Sequence, residues 1–137
     1  MVEPVIDTHV HIWDLSRAEY PWLKDDRSIL NRTYVLSELE PERLQTNIVA
    51  GVLVQAAGNL EDTELMMEVA KQNSWIKGVV AWLPLMNPVD TRRLLEENPR
   101  RTNPMVRLLD PIYVISERGL YLPAITTILV SRWWVKR

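Results

Sequence analysis

A chain of 137 residues with 47% hydrophobic side chains has enough apolar material to bury the core of one domain. Its 16 basic and 18 acidic residues leave a formal charge of -2, spread along the chain, so no field gathers nucleic acid or an anionic membrane. Without cysteine there is no disulfide and no thiolate metal site, and any metal must rest on carboxylates and two histidines. The segment Met1-Val2-Glu3-Pro4 lacks the charge and apolar run of a secretion signal, and no later run reaches the ~20 apolar residues of a membrane span. These features predict a cytoplasmic protein whose partners include neither nucleic acid nor membrane.

Residues 5–12 alternate strictly and are rich in β-branched side chains. They predict a strand with Asp7, His9 and His11 on one face and Ile6, Thr8, Val10 and Ile12 on the other. From Trp13 to about Arg32 the chain mixes charge, proline and aromatic residues with no helical period, the composition of a long ordered loop. Residues 37–44 predict a short helix with Ser37 as its N-cap, and Pro41 limits its regularity upstream. Residues 48–57, with Val49, Val52, Leu53 and Val54, form a nearly continuous apolar run, the pattern of a second strand buried on both faces.

Asn59 is placed to cap the next helix, with Glu61 and Asp62 complementing its positive end and Leu65, Met66, Val69 and Ala70 on the face that covers the sheet. Residues 76–83 predict a third strand, and residues 90–97, following Pro88, a second covering helix. This alternation defines an α/β fold of right-handed β/α units around a parallel sheet. Residues 99–104 read as a polar hinge, 105–109 as a fourth short strand, 110–118 as a helix with Gly119 at C′, and 125–130 as a β-prone run before Trp133-Trp134 and a basic terminus. The chain thus divides into β/α units over residues 1–98 and an irregular continuation of the same domain over 99–137.

The chemistry concentrates in Asp7-Thr8-His9-Val10-His11. Two imidazoles one strand period apart at a carboxyl end can reach one metal ion, although such a pair also serves in surface or cross-strand packing. Asp7 has three readings: a ligand, a group behind the ligands that orients His11, or the partner of a buried arginine. Trp13, Trp22, Trp75 and Trp82 fit core or loop packing. Gln55 can satisfy backbone groups at its strand end, and Arg107 fits a structural ion pair. Met66-Met67 reads as helix packing and Glu96-Glu97 as a solvated face.

The segment Ile6-Asp7-Thr8-His9-Val10-His11-Ile12-Trp13-Asp14 resembles the opening strand of the amidohydrolase-related metal-dependent hydrolases. Tyr20-Pro21-Trp22-Leu23 is similar to a loop motif of their sugar-lactone hydrolase branch, which includes fuconolactonase-like and rhamnonolactonase-like proteins. Gly51-Val52-Leu53-Val54-Gln55-Ala56 and Ile76-Lys77-Gly78-Val79-Val80-Ala81-Trp82-Leu83 resemble the second and third barrel strands. The likeness runs from about Val5 to Glu97 and becomes patchy at Met105-Val106-Arg107-Leu108-Leu109 and Ser116-Glu117-Arg118-Gly119-Leu120, where the family usually has glycine before the fourth strand and histidine or arginine at the position of Leu108.

The resemblance implies a partial (β/α)8 TIM barrel of three to four N-terminal β/α units, since a full barrel takes about 250 residues. It implies a hydrolase acting on the cyclic ester of a sugar lactone, with His9 and His11 binding one divalent, zinc-like metal or polarising the carbonyl with none. Trp13 and Trp22 would line the pocket, Gln55 would hydrogen-bond substrate, and Arg107 would pair with a carboxylate. The family's later histidines, and the aspartate that handles the attacking water, find no counterpart in this sequence. Two other outcomes therefore stand beside the lactonase: a non-catalytic truncated barrel that oligomerises, and a sugar-acid binding protein without turnover. An open partial barrel exposes strand edges, which predicts self-association.

Overall fold

The computed structural model describes residues 3–97. Three strands, β1 (Val5–Val10), β2 (Ile48–Val54) and β3 (Ile76–Val80), form a parallel sheet in the order β1-β2-β3. Helix α1 (Glu40–Gln45) precedes β2, α2 (Leu60–Gln72) links β2 to β3, and α3 (Pro88–Glu97) follows β3. The predicted α/β alternation is therefore present. The expected fourth strand, the helix at 110–118 with Gly119, the β-prone run, the Trp133-Trp134 terminus and the boundary at 98/99 lie outside the described residues.

Helix α2 forms where it was expected because Asn59 caps it: its side-chain oxygen accepts the amide of Asp62 at 2.9 Å. Leu65, Met66, Met67 and Ala70 are buried in one cluster with Val10, Ile12, Leu53, Val79 and Ala81, and Val69 packs against its margin. Leu53, Met66 and Val79 are fully buried at its centre. Thr63 fastens α2 to the end of β3, its hydroxyl donating to the carbonyl of Trp82 at 3.0 Å and accepting the Trp82 amide at 3.2 Å.

Several sequence expectations need correction. The first strand ends at Val10, so His11 and Ile12 lie beyond it. Of the face opposite Asp7, His9 and His11, only Val10 and Ile12 are buried, while Ile6 and Thr8 are exposed. The second strand is not buried on both faces: Val49 is exposed and Val52 and Val54 are only half-buried. It stops at Val54 and the third strand at Val80, both three residues earlier than the apolar runs suggest. Ser37 caps nothing; residues Leu36–Leu39 form a 3-10 turn, and α1 begins only at Glu40, with Pro41 in its first turn. Helix α3 starts two residues before Asp90, whose amide is accepted by the side chain of Asn87 at 3.2 Å.

The long loop is ordered, as expected, and is fastened at its base. Trp13 and Tyr34 form an antiparallel bridge, exchanging backbone hydrogen bonds of 3.1 and 2.9 Å. Within it Pro21–Leu23 makes a 3-10 turn, and Trp13, Tyr20 and Leu23 bury against Ala57 in a second cluster.

Candidate functional site

The two histidines converge at the carboxyl end of β1. Nε2 of His9 lies 3.0 Å from Nε2 of His11, with ring centroids 4.7 Å apart and planes at 69°. His11 Nδ1 is 2.9 Å from the carbonyl oxygen of Val54, the last residue of β2. A carbonyl only accepts, so Nδ1 of His11 carries a proton, which in the neutral ring leaves Nε2 bare. His9 must then donate from Nε2 to complete the pair. Both rings are exposed. Asp7 reaches neither ring; its Oδ1 accepts the backbone amide of His9 at 3.1 Å.

The pair fits one edge of a zinc-like site. Two imidazole nitrogens bound to one tetrahedral ion at about 2.0–2.1 Å stand roughly 3.3 Å apart, close to the spacing observed. A ligating histidine normally donates its second ring N–H to a carbonyl or carboxylate, as His11 does to Val54. Binding would require His9 to move its proton to Nδ1. Among the described residues no cluster of three histidine, aspartate or glutamate side chains forms, so further ligands are not found within 3–97.

The other candidates gather at the same end of the sheet. Trp13 is buried and donates its indole N–H to the Arg32 carbonyl at 2.7 Å, which makes it part of the loop's packing. Trp22 meets it edge to face at 5.4 Å but keeps 46% of its surface exposed, while its Nε1 donates to the Ala56 carbonyl at 2.9 Å. The Gln55 amide continues the sheet by donating to Val80 O at 2.9 Å, and its side-chain Oε1 is buried with no hydrogen-bond partner among the described residues. Arg107 lies outside those residues. Trp75, immediately before β3, packs against Gly51 in the middle of β2, and Trp82 lies near Gly58.

Two groups escaped sequence reasoning. Asp62, expected to complement the positive end of α2, lies in its first turn but is also fully buried, and accepts from the Tyr20 hydroxyl at 2.9 Å and the amides of Ala56 and Ala57 at 2.8 and 3.1 Å. Burial pushes the Tyr20 phenol well above its ordinary range. The spacing Asn59-x-x-Asp62 looks like an ordinary helix start, and only the tertiary structure shows the acid turning inward.

No family model matches the chain. The likeness to amidohydrolases suggested by the sequence recurs among solved structures. An amidohydrolase of Burkholderia multivorans, crystallised with bound zinc, shares 29% identity and a TM-score of 0.59 over 70% of this chain and 34% of its own. More particularly, two curated relatives are named as lactonases. An L-fucono-1,5-lactonase of Burkholderia multivorans is 32% identical over 91 residues, 66% of this chain and 31% of that protein. An L-fucono-1,5-lactonase of Burkholderia ambifaria is 27% identical over 95 residues, 67% of this chain and 33% of that protein. The chain spans about a third of the length of the curated relatives it matches.

Proposed function

We propose that residues 3–97 supply the first β/α units of a (β/α)8 barrel hydrolase that opens the cyclic ester of a sugar lactone. The observation that carries this reading is the convergence of His9 and His11 at the carboxyl end of the first strand, 3.0 Å apart, with His11 oriented by the second. Active sites of parallel β/α barrels are built at that end. The relatives named as lactonases, and the zinc in one solved neighbour, supply the chemical class.

In this reading His9, once its Nε2–H is released from His11, donates it to the oxyanion formed as water attacks the ester carbonyl. A divalent ion held by His9 and His11 would add Lewis-acid polarisation of that carbonyl. Trp22 presents an apolar wall to the sugar ring, with Trp13 backing it. Gln55 offers an acceptor for a sugar hydroxyl, and Arg107 would pair with a carboxylate. The base that takes the proton from water lies outside residues 3–97, supplied by the rest of a longer chain or by a second copy. Exposed Val5, Ile6 and Val49 on the first two strands favour self-association.

The test is hydrolysis of a panel of aldono-1,4-lactones, with and without added divalent metal, beside the double variant His9→Ala/His11→Ala. Turnover lost in the double variant supports the reading. Folded protein with no turnover above that control removes it and leaves a sugar-acid binder or a non-catalytic barrel portion.

A further inference from the structure

A carboxylate with no exposed surface is costly unless donors surround it. Asp62 has 0% exposure, and the three donors that meet it are a phenol and two backbone amides rather than a cation. Each donor belongs to a segment that carries a candidate site residue. Tyr20 stands two residues before Trp22, and Ala56 and Ala57 follow Gln55 directly.

The network continues in both directions. The Tyr20 oxygen also accepts the amide of Asp14, next to Trp13, at 3.2 Å. The Ala56 peptide, held by Asp62 through its N–H, accepts the indole N–H of Trp22 on its carbonyl at 2.9 Å. A closed circuit results: loop, Tyr20, Asp62, Ala56, Trp22, loop. Two exposed ties run alongside it, the Asn59 side-chain amide on Glu19 O at 2.8 Å and Arg17 on Glu68 at 2.8 Å. A half-exposed indole ordinarily samples several rotamers. This one is fastened to a peptide that a buried charge has already fixed.

We propose that Asp62 is a positioning residue: through Tyr20 and the Ala56 peptide it presets Trp22 as one wall of the substrate site, at the end of β2 where His11 is also anchored. What the wall meets rests on the lactonase reading; the latch itself does not. Orientation of a substrate-facing group ahead of binding removes an ordering cost that binding would otherwise bear.

Tyr20→Phe keeps the ring in its cluster and leaves Asp62 on its two amides, cutting its link to the loop together with the acceptor of the Asp14 amide. Asp62→Asn is the second variant, because one amide oxygen cannot serve both the peptide pair and the phenol. In the full chain, the indole 15N–1H signal of Trp22 is expected to shift in both variants, and its hydrogen exchange to quicken by about tenfold. For lactone hydrolysis KM should rise about tenfold with kcat within about threefold of wild type. An unmoved Trp22 signal in folded variants overturns the latch. A displaced Trp22 with KM unchanged overturns its link to substrate. If the wild-type chain turns over no lactone, the lactonase reading fails, while the indole signal still decides the latch.

Discussion

The ring of Trp75 lies across Gly51 so closely that a Cβ built on that glycine would sit 2.5 Å from its Cζ3. The ring has little room to retreat. Ile76 Cδ1 stands 3.3 Å from the same point, and the Arg43 guanidinium covers the ring at 5.1 Å while bonded to Glu40 and to Ile48 O. Gly51→Ala is therefore expected to destabilise the fold by about 1–3 kcal/mol through overpacking. Urea unfolding should show a lower midpoint with unchanged slope; an unchanged midpoint would mean that Trp75 yields freely.

Stability should fall on the acid side from about pH 5 downward. Ser16 hydrogen-bonds Asp14, Ser28 hydrogen-bonds Asp26, Arg32 grips Glu38 and Arg43 grips Glu40, and each carboxyl is held below its ordinary value. A depressed folded value means that the contribution is present above the unfolded pKa and is lost as pH falls through the folded one. Tyr20 acts in the opposite sense at the other extreme. Its raised value makes stability decline once pH climbs past the ordinary phenol value of 10.0. Denaturant midpoints from pH 2 to 11 check both limbs, roughly spanning the two sets of groups, and Tyr20→Phe should flatten only the alkaline one.

Equilibrium dialysis against zinc is expected to leave the metal on wild-type chain and none on His9→Ala/His11→Ala. Replacing His11 alone should cost more affinity than replacing His9 alone, because His11 is the ring oriented by Val54 O. Equal retention by the double variant would place any bound zinc elsewhere.

Light scattering should show a dimer or larger assembly, since Val5, Ile6 and Val49 present apolar surface on the first two strands. Adding charge with Ile6→Lys should shift the distribution toward monomer. A monodisperse wild-type monomer refutes self-association.

The strands were legible because 48–54 and 76–80 are apolar runs and 5–10 alternates, and α2 was legible because Asn59 sits before a helical stripe. Their ends were not. β2 stops at Val54 because the next peptides turn toward the Asp62 carboxylate, and β3 stops at Val80 because Trp82 commits its amide and carbonyl to Thr63. Both are side-chain contacts, local for Asp62 and 19 residues apart for Thr63 and Trp82, which hydropathy does not encode. The facing of His9 and His11 followed from period two. The anchoring of His11 on Val54, 43 residues away, did not. The same limit hid Asp62, whose partner Tyr20 lies 42 residues upstream.

The bridge between Trp13 and Tyr34 carries a consequence for how this sequence can change. Because the two ends of the loop are stitched to each other, and Tyr20 and Leu23 are packed inside, the stretch around Ile29, 83% exposed, hangs from a finished foundation. The apex backbone belongs to that foundation, since the Ile29 carbonyl accepts the Tyr34 hydroxyl at 2.7 Å, but the Ile29 side chain does not. Among the described residues it is a place where a new side chain can be set, for a reporter, without renegotiating the fold.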